Sequence, residues 1–495
     1  MHFFLQGIIL NTMHSTNGDE KALARLGYAQ ELLRRLGGFS NFAISLSIIC
    51  ILAGGITSFS QGFCGIGGAA IGIGWPFVCL ISLAVAATMG QVASAFPTAG
   101  GLYHWATILG GRGWGWVTAW FNLVGLITVL AAINTGTIDF AAGWLGWKPG
   151  PWEKVAAVAM ITVAQAIFNH FGIRLTSLLT DFSGWWILSI AVVLTFSLFL
   201  CVKELELGRL VTFANFSGPA GGDVLPQTDS KTLLFGLGFL LPAYTLTGFD
   251  ASAHVAEETV NAAREVPRAI VRSVWVSGLF GWVMLIAAVL AMPNLADAAA
   301  QGTNAFVWTM QQLFPEWWAT ILFVGVSLAH FLCGLATITS ASRMVYAFAR
   351  DGGLPFSTIW KHVDERRRSP VAAVWLTTVL AIVVVAAIPY AAIAAICAVL
   401  LYVSYVLPTA LGIFAYGKTW TSFGPWSLGR WYRPLAAISV LGCLGLLVIG
   451  MLPPNQIAAP ILCGFVLALL IIWFGYARKH FPGPPTVLRK DIPSP

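Results

Sequence analysis

The sequence predicts an all-α polytopic membrane protein with twelve transmembrane helices. Ten of them form a 5+5 inverted repeat and two are added at the C-terminal end. Three observations lead there. Of 495 residues 58% are hydrophobic and only 9% charged, whereas soluble domains carry about 25% charge; the mean hydropathy is +0.80. The apolar residues gather into twelve segments, each near the roughly 20 residues that a helix needs to cross a bilayer. Two of these segments, the first and the sixth, are interrupted at their midpoints.

In chain order the spans are expected at 40–63, 69–95, 114–142, 154–171, 177–202, 233–256, 269–292, 316–347, 370–388, 391–416, 434–452 and 456–477. They divide the chain into a tail (1–38), a first five-helix unit (39–202), a polar insert (203–232), a second unit (233–416), a loop with two helices (417–478) and a C-terminal tail (479–495). The insert contains "SGPAGGDVLPQTDS", which is loop chemistry and too short for a domain. The opening "MHFFLQGIILNT" lacks the basic start and cleavage site of a signal peptide. Residues 1–12 therefore read as a disordered or mis-started extension ahead of Met13.

The net charge is +7, but in a membrane chain the placement of basic residues matters more than their total. With the N-terminus inside, the inner segments carry 22 of the 27 Lys and Arg residues and the outer loops 5. Both termini are thus expected to be cytoplasmic, in a multi-pass protein of the cell membrane. The eight cysteines are scattered without C-x-x-C spacing and read as small packing residues; Cys64 and Cys201 both fall near the outer face, in unrelated loops that give no reason to pair them. No G-x-x-x-x-G-K-[ST] loop and no H-E-x-x-H group occurs, which argues against nucleotide-driven transport and against a membrane enzyme. No cofactor, metal or nucleic-acid partner is expected, and the chain would work in the lipid bilayer as a monomer or homodimer.

The interruptions carry the functional reading. The first span holds "ILAGGITSF" (51–59) and the sixth "LLPAYTLTGFDASAH" (240–254). Irregular backbone survives at membrane depth only where it is buried in protein or lines a wet cavity. Five spans separate the two starts, so the broken helices run in opposite directions, and matched breaks in oppositely oriented units mark the midplane site of an inverted-repeat transporter. The N–H groups of Gly54 and Gly55 open the outer half of the first span, a positive dipole end suited to a carboxylate. A packed small-residue contact is the structural alternative. The unwound "YTLTG" frees carbonyls at a negative dipole end, suited to an ammonium group. Together they describe a zwitterion: an α-amino acid, or a short ω-amino acid such as GABA.

Other polar residues lie nearby. Asp250 sits in the apolar zone, where an ionisable group is a functional hypothesis; it reads as a protonatable or amine-binding group, or as a helix cap. His330 reads as hydrogen-bonded packing or as a proton relay. Ala336, Thr339 and Ser340 share a helical patch whose hydroxyls would suit a sodium ion, or would back-bond to the preceding turn. In the inner loops Glu257, Glu258, Arg350 and Asp351 are expected to pair and gate the inner face.

Three runs, "FPTAGGLYHWA" (96–106), "EETVNAAREVPRAI" (257–270) and "SRMVYAFARDGGLP" (342–355), resemble the amino acid/polyamine/organocation permease superfamily. The resemblance runs from about Leu36 to Arg478. Ala262 after Asn261, with the long "TAGGLYHWA" match, makes it most similar to the amino acid/choline group, which includes GABA permeases. The resemblance implies the 5+5 fold and a substrate held at the two breaks. The family's first-helix G-[ST]-G falls on Ala53, Gly54 and Gly55, without the usual hydroxyl. Ile51, Tyr244 and Thr247 would offer carbonyls to the amine, with Ile56 and Gly248 beside them, and Asp250 matches an acidic position near the pocket. The fifth-span lysine of some proton-coupled relatives is missing, since no lysine precedes Lys203 there. The reading is a secondary permease, proton-coupled or exchanging. A choline or polyamine carrier and a non-transporting amino-acid sensor are the rivals.

Overall fold

The computed structural model describes residues 18–388 and 390–485; the expectation for residues 1–12 lies outside them. Helices stand at all twelve expected positions. Among the described residues nine are long and apolar enough to cross a membrane unaided, and Val371–Ala387 is a shorter apolar helix. The other two are the fourth span, Pro151–His170, and the broken sixth span, in pieces Lys231–Gly238, Leu240–Thr245 and Ala251–His254. The protein is an all-helical polytopic membrane protein.

Both described terminal segments meet at one end of the bundle. Arg35 and Leu36 N–H donate to the Glu258 carbonyl (2.8 Å each) and Val260 N–H returns to Leu36 (2.9 Å), laying the chain before the first span across the foot of the sixth. Arg112, at the foot of the third span, donates to the Phe481 carbonyl (3.1 Å). We refer to this as the terminal end. The opposite, far end is covered by the 203–230 insert and by two short helices, Leu295–Ala300 and Ala305–Leu313, which sequence reasoning did not anticipate. Arg209 ties the insert to the Met292 carbonyl (2.6 Å). The "FPTAGGLYHWA" run, also read without an element, turns at 96–101 and opens the helix Leu102–Gly110. Cys64 and Cys201 pack apart, with Cys64 Sγ against the Ala299 carbonyl (3.5 Å) and Cys201 Sγ against Leu313 (3.8 Å).

Spans three, four and eight are joined by neutral amides, the polar glue that works between helices in lipid because each group is satisfied. Asn134 and Gln165 bond reciprocally (2.8 and 3.0 Å), Gln165 also donates to the Phe331 carbonyl (3.0 Å), and Asn169 donates to Leu335 (3.1 Å). Gln165→Leu leaves Asn134 Oδ1 and the Phe331 carbonyl without their donor and is expected to cost about 1–3 kcal/mol, read as a lower melting temperature in detergent. An unchanged melt would show that the ladder contributes nothing.

Candidate functional site

The first helix, Gly38–Ile49, stops at Cys50, whose backbone leaves the helical region (φ 14°, ψ 88°). It resumes at Gly54. The structure corrects which donors are free. Gly54 N–H is taken by the Cys50 carbonyl (2.9 Å) and Gly55 N–H by the Ile51 carbonyl (3.0 Å). The Ile51 carbonyl expected for an amine therefore already accepts a bond. At this break the N–H groups of Ile51, Leu52 and Ile56 have no hydrogen-bond partner among the described residues. The acceptor that helical geometry would give Ile56, the Leu52 carbonyl, instead accepts from His330 Nε2 (3.0 Å). His330 thus pins the first break from the eighth span; its Nδ1 is buried without a partner.

The sixth span breaks between Thr245 and Ala251, with Gly248 at φ 93°, a left-handed conformation that glycine adopts without steric cost. Tyr244 O accepts from the Thr247 hydroxyl (2.8 Å), so it is less free than expected. The carbonyls of Thr245, Leu246 and Thr247 have no hydrogen-bond partner among the described residues. Asp250 is fully buried and its side chain does not cap the following helix, which removes the capping alternative. Instead Oδ2 accepts from Asn122 of the third span (2.8 Å) and Oδ1 from Tyr405 of the tenth (2.8 Å), with His254 Nε2 at 3.3 Å. Tyr405 also accepts from Gly248 N–H (3.0 Å). Asn122, His254 and Tyr405 were not singled out from sequence.

The two breaks share one cavity of about 20 Å³. Ala53, Gly54 and Thr57 line it from the first break; Tyr244, Thr245 and Thr247 line it from the second. Ile48, Ile49, Val129, Ile133 and Cys333 complete the wall. That volume holds about one water molecule, so the halves must part to admit anything larger. No charged side chain lines it, and Asp250 lies outside its lining. Thr57 also lines a second, larger cavity of about 450 Å³ at the far end, with Ile56, Phe140 and the ion-paired Asp139 and Lys154 (2.7 Å).

The candidate sodium residues are differently employed. Ala336 packs against Ile44 and Ile48, the Thr339 hydroxyl bonds to Asn169 of the fourth span (2.7 Å), and Ser340 Oγ is buried without a partner. Among the described residues no cluster of His, Cys, Asp or Glu could hold a metal ion.

The terminal end is closed by buried charge. Glu257 takes both Arg350 guanidinium nitrogens (2.8 and 2.9 Å) and Ala99 N–H (3.0 Å). Glu258 pairs with Arg343 (3.1 Å), a partner not foreseen. Asp351 pairs with neither arginine: it accepts from Tyr28 (2.8 Å) and Tyr103 (2.9 Å) and meets His104 Nε2 at 3.0 Å. Burial pushes the Glu257 carboxyl up, but the Arg350 charge and hydrogen bonds outweigh it and hold it below the usual range. At Glu258 burial wins over the longer contacts to Arg343 and the carboxyl lies above its ordinary value. At Asp351 burial is outweighed by the hydrogen bond and charge of His104 and by Arg350, and the carboxyl is lowered. Arg350 also lies over the Tyr28 ring (3.9 Å), so the segment before the first span is bound into the closure.

A family profile described as "Amino acid permease" matches residues 36–475. The chain is 31% identical to "Amino-acid permease BAT1" of Arabidopsis thaliana, with 93% of this chain and 95% of the relative aligned. It is 30% identical to its homolog in Oryza sativa subsp. japonica, over 94% and 95%. A "Putative polyamine transporter" of Candida albicans is 28% identical over 98% and 92%.

Proposed function

The chain belongs to the amino acid permease family, within the amino acid/polyamine/organocation superfamily, and on that premise we propose that this amino acid transporter carries a small zwitterionic amino acid across a cell membrane by alternating access. One observation carries the reading: both helix breaks open on a single cavity with no charged side chain in its wall. The unpaired N–H groups of Ile51, Leu52 and Ile56 flank the closed cavity without lining it; they become the carboxylate end when the halves part, reinforced by the dipole of the half-helix from Gly54. The unpaired carbonyls of Thr245 to Thr247, at the negative end of the preceding half-helix, receive the ammonium. The apolar walls of Val129 and Ile133 suit a short, uncharged side chain. Residues 39–202 and 233–416 act as the two inverted halves that rock about the site. The excess of basic residues supports a cytoplasmic terminal end; in that orientation this conformation is closed inward, with the larger cavity on the outer side.

The name of the Candida albicans relative raises a polyamine as the rival substrate. A polyamine needs carboxylates and has no use for free N–H groups, and no carboxylate lines this cavity. The test is a thermal-shift panel of L-amino acids, GABA, choline and spermidine on the purified protein. A ligand at about 100 times its dissociation constant adds about 2.7 kcal/mol to the folded state, so a small neutral amino acid is expected to raise the melting temperature by several degrees. Stabilisation by spermidine or choline alone would overturn the zwitterion.

A further inference from the structure

We propose that His254 and Asp250 hold one exchangeable proton between His254 Nε2 and Asp250 Oδ2, and that this proton is carried with the substrate; the inference rests on the permease reading above. It follows from counting hydrogens. His254 Nδ1 is 3.2 Å from the Ala99 carbonyl, which only accepts, so Nδ1 carries a hydrogen. Nε2 is 3.3 Å from Asp250 Oδ2. If the imidazole were neutral and Asp250 ionised, Nε2 would present a lone pair to a carboxylate oxygen. One further hydrogen must therefore lie between them, on nitrogen or on oxygen, and the pair is neutral in either case.

The surroundings supply no substitute for that proton. The third span contributes neutral Asn122, and the tenth Ser404 and Tyr405, whose hydroxyl donates to Asp250. The first span contributes Ser45 and Asn41, which bond to Ser252. On the terminal side the nearest charges are already matched, Glu257 with Arg350 and Asp351 with His104. Among the described residues no lysine or arginine bonds to Asp250 or His254. Without the proton the site would bury an uncompensated carboxylate, which is strongly unfavourable.

Ala99 connects this site to the terminal closure. Its carbonyl meets His254 and its N–H donates to Glu257 (3.0 Å), the carboxylate held by Arg350. Loss of the proton forces His254 to leave either Asp250 or Ala99, which loosens the connection between the second and third spans from the seal. The proton-loaded pair is the closed state, and the proton departs as the terminal end opens. In balance, one proton enters from water at the far end, is held as N···H···O, and leaves to water at the terminal end; no other bond is made or broken.

The test uses the full chain in proteoliposomes with a radiolabelled mixture of L-amino acids and GABA. For one coupled proton, a gradient of about one pH unit, acid outside, supports roughly ten-fold accumulation. Wild type is expected to accumulate label only with the gradient, and addition of the unlabelled mixture should acidify the lumen, read by trapped pyranine. His254→Gln removes the imidazole that shares the proton and leaves Asp250 to hold it alone; gradient-driven accumulation should fall at least about ten-fold relative to the variant's own counterflow exchange. If wild-type exchange runs with no response to the gradient and no acidification, or if the variant keeps its response, the proton site is wrong and the permease reading stands. If wild type exchanges none of the mixture, the permease reading fails and takes the proton site with it. Should the variant not fold, the pyranine signal of wild type decides alone.

Discussion

Gly54→Ala is expected to weaken substrate binding and exchange by roughly ten- to hundred-fold, while Gly55→Ala leaves both near wild type. From sequence the two glycines looked equivalent, each offering an open N–H. The structure separates them. A Cβ on Gly54 would lie 2.9 Å from Thr245 Cα and 3.2 Å from its Cγ2, whereas one on Gly55 would meet only Met284 Cε at 3.6 Å. The first neighbour is backbone at the edge of the other break and cannot rotate aside; the second is the end of a flexible side chain at ordinary contact. Overpacking of the first kind costs about 1–3 kcal/mol. Here it falls on the junction where both breaks line one cavity, so it appears in binding before it appears in folding. Gly54 is thus a small-residue contact with Thr245 that also lines the shared cavity, so the two readings that sequence had set against each other are compatible. Counterflow exchange and thermal shift on the two variants check this, and greater damage from Gly55→Ala would refute the assignment.

Much of the architecture was legible because membrane constraints write themselves into composition. Apolar runs of spanning length gave the helices, and the two matched interruptions gave the breaks that share one cavity. Hydrogen-bond assignments within the breaks were not legible. Whether Gly54 N–H faces a ligand or the Cys50 carbonyl depends on a few backbone angles, and glycine permits many. The partners of Asp250 were hidden for another reason. Asn122 and Tyr405 lie 128 and 155 residues away in chain order, on apolar helices where neither stands out. The terminal seal was half visible. Its acids and Arg350 lay in charged loops and were named, but Tyr28 and His104 meet Asp351 across 323 and 247 residues. Arg343 sits one turn inside an expected span and was not singled out, yet it is the fully buried partner of Glu258.

Glu257→Ala is expected to have the largest effect on conformation, because three groups converge on that carboxylate. The Arg350 side chain is 11% exposed, and deleting one member of a buried pair costs about 3–5 kcal/mol since the other charge stays behind uncompensated. The same change removes the acceptor of Ala99 N–H and loosens Arg350 over Tyr28, weakening one of the holds on the segment before the first span. If the cluster were merely structural, only the melting temperature would fall. If it seals the terminal end, the central cavity opens as well, and Cys333 reports it. That thiol lines the cavity, is buried, and bonds to the Ile48 carbonyl (3.4 Å). Its labelling by a membrane-impermeant maleimide, located by peptide mass spectrometry, should accelerate by at least about ten-fold, since 1.4 kcal/mol lost from the closed state already shifts the population that far. The double variant Glu257→Leu with Arg350→Met removes both charges; it should recover melting temperature, as apolar replacements of buried pairs often do, yet keep the fast labelling, because Ala99 N–H still lacks its acceptor and the Tyr28 ring its cation. Faster melting with unchanged Cys333 labelling would reduce these charges to scaffolding, and gating would have to be sought in Asp351 and His104.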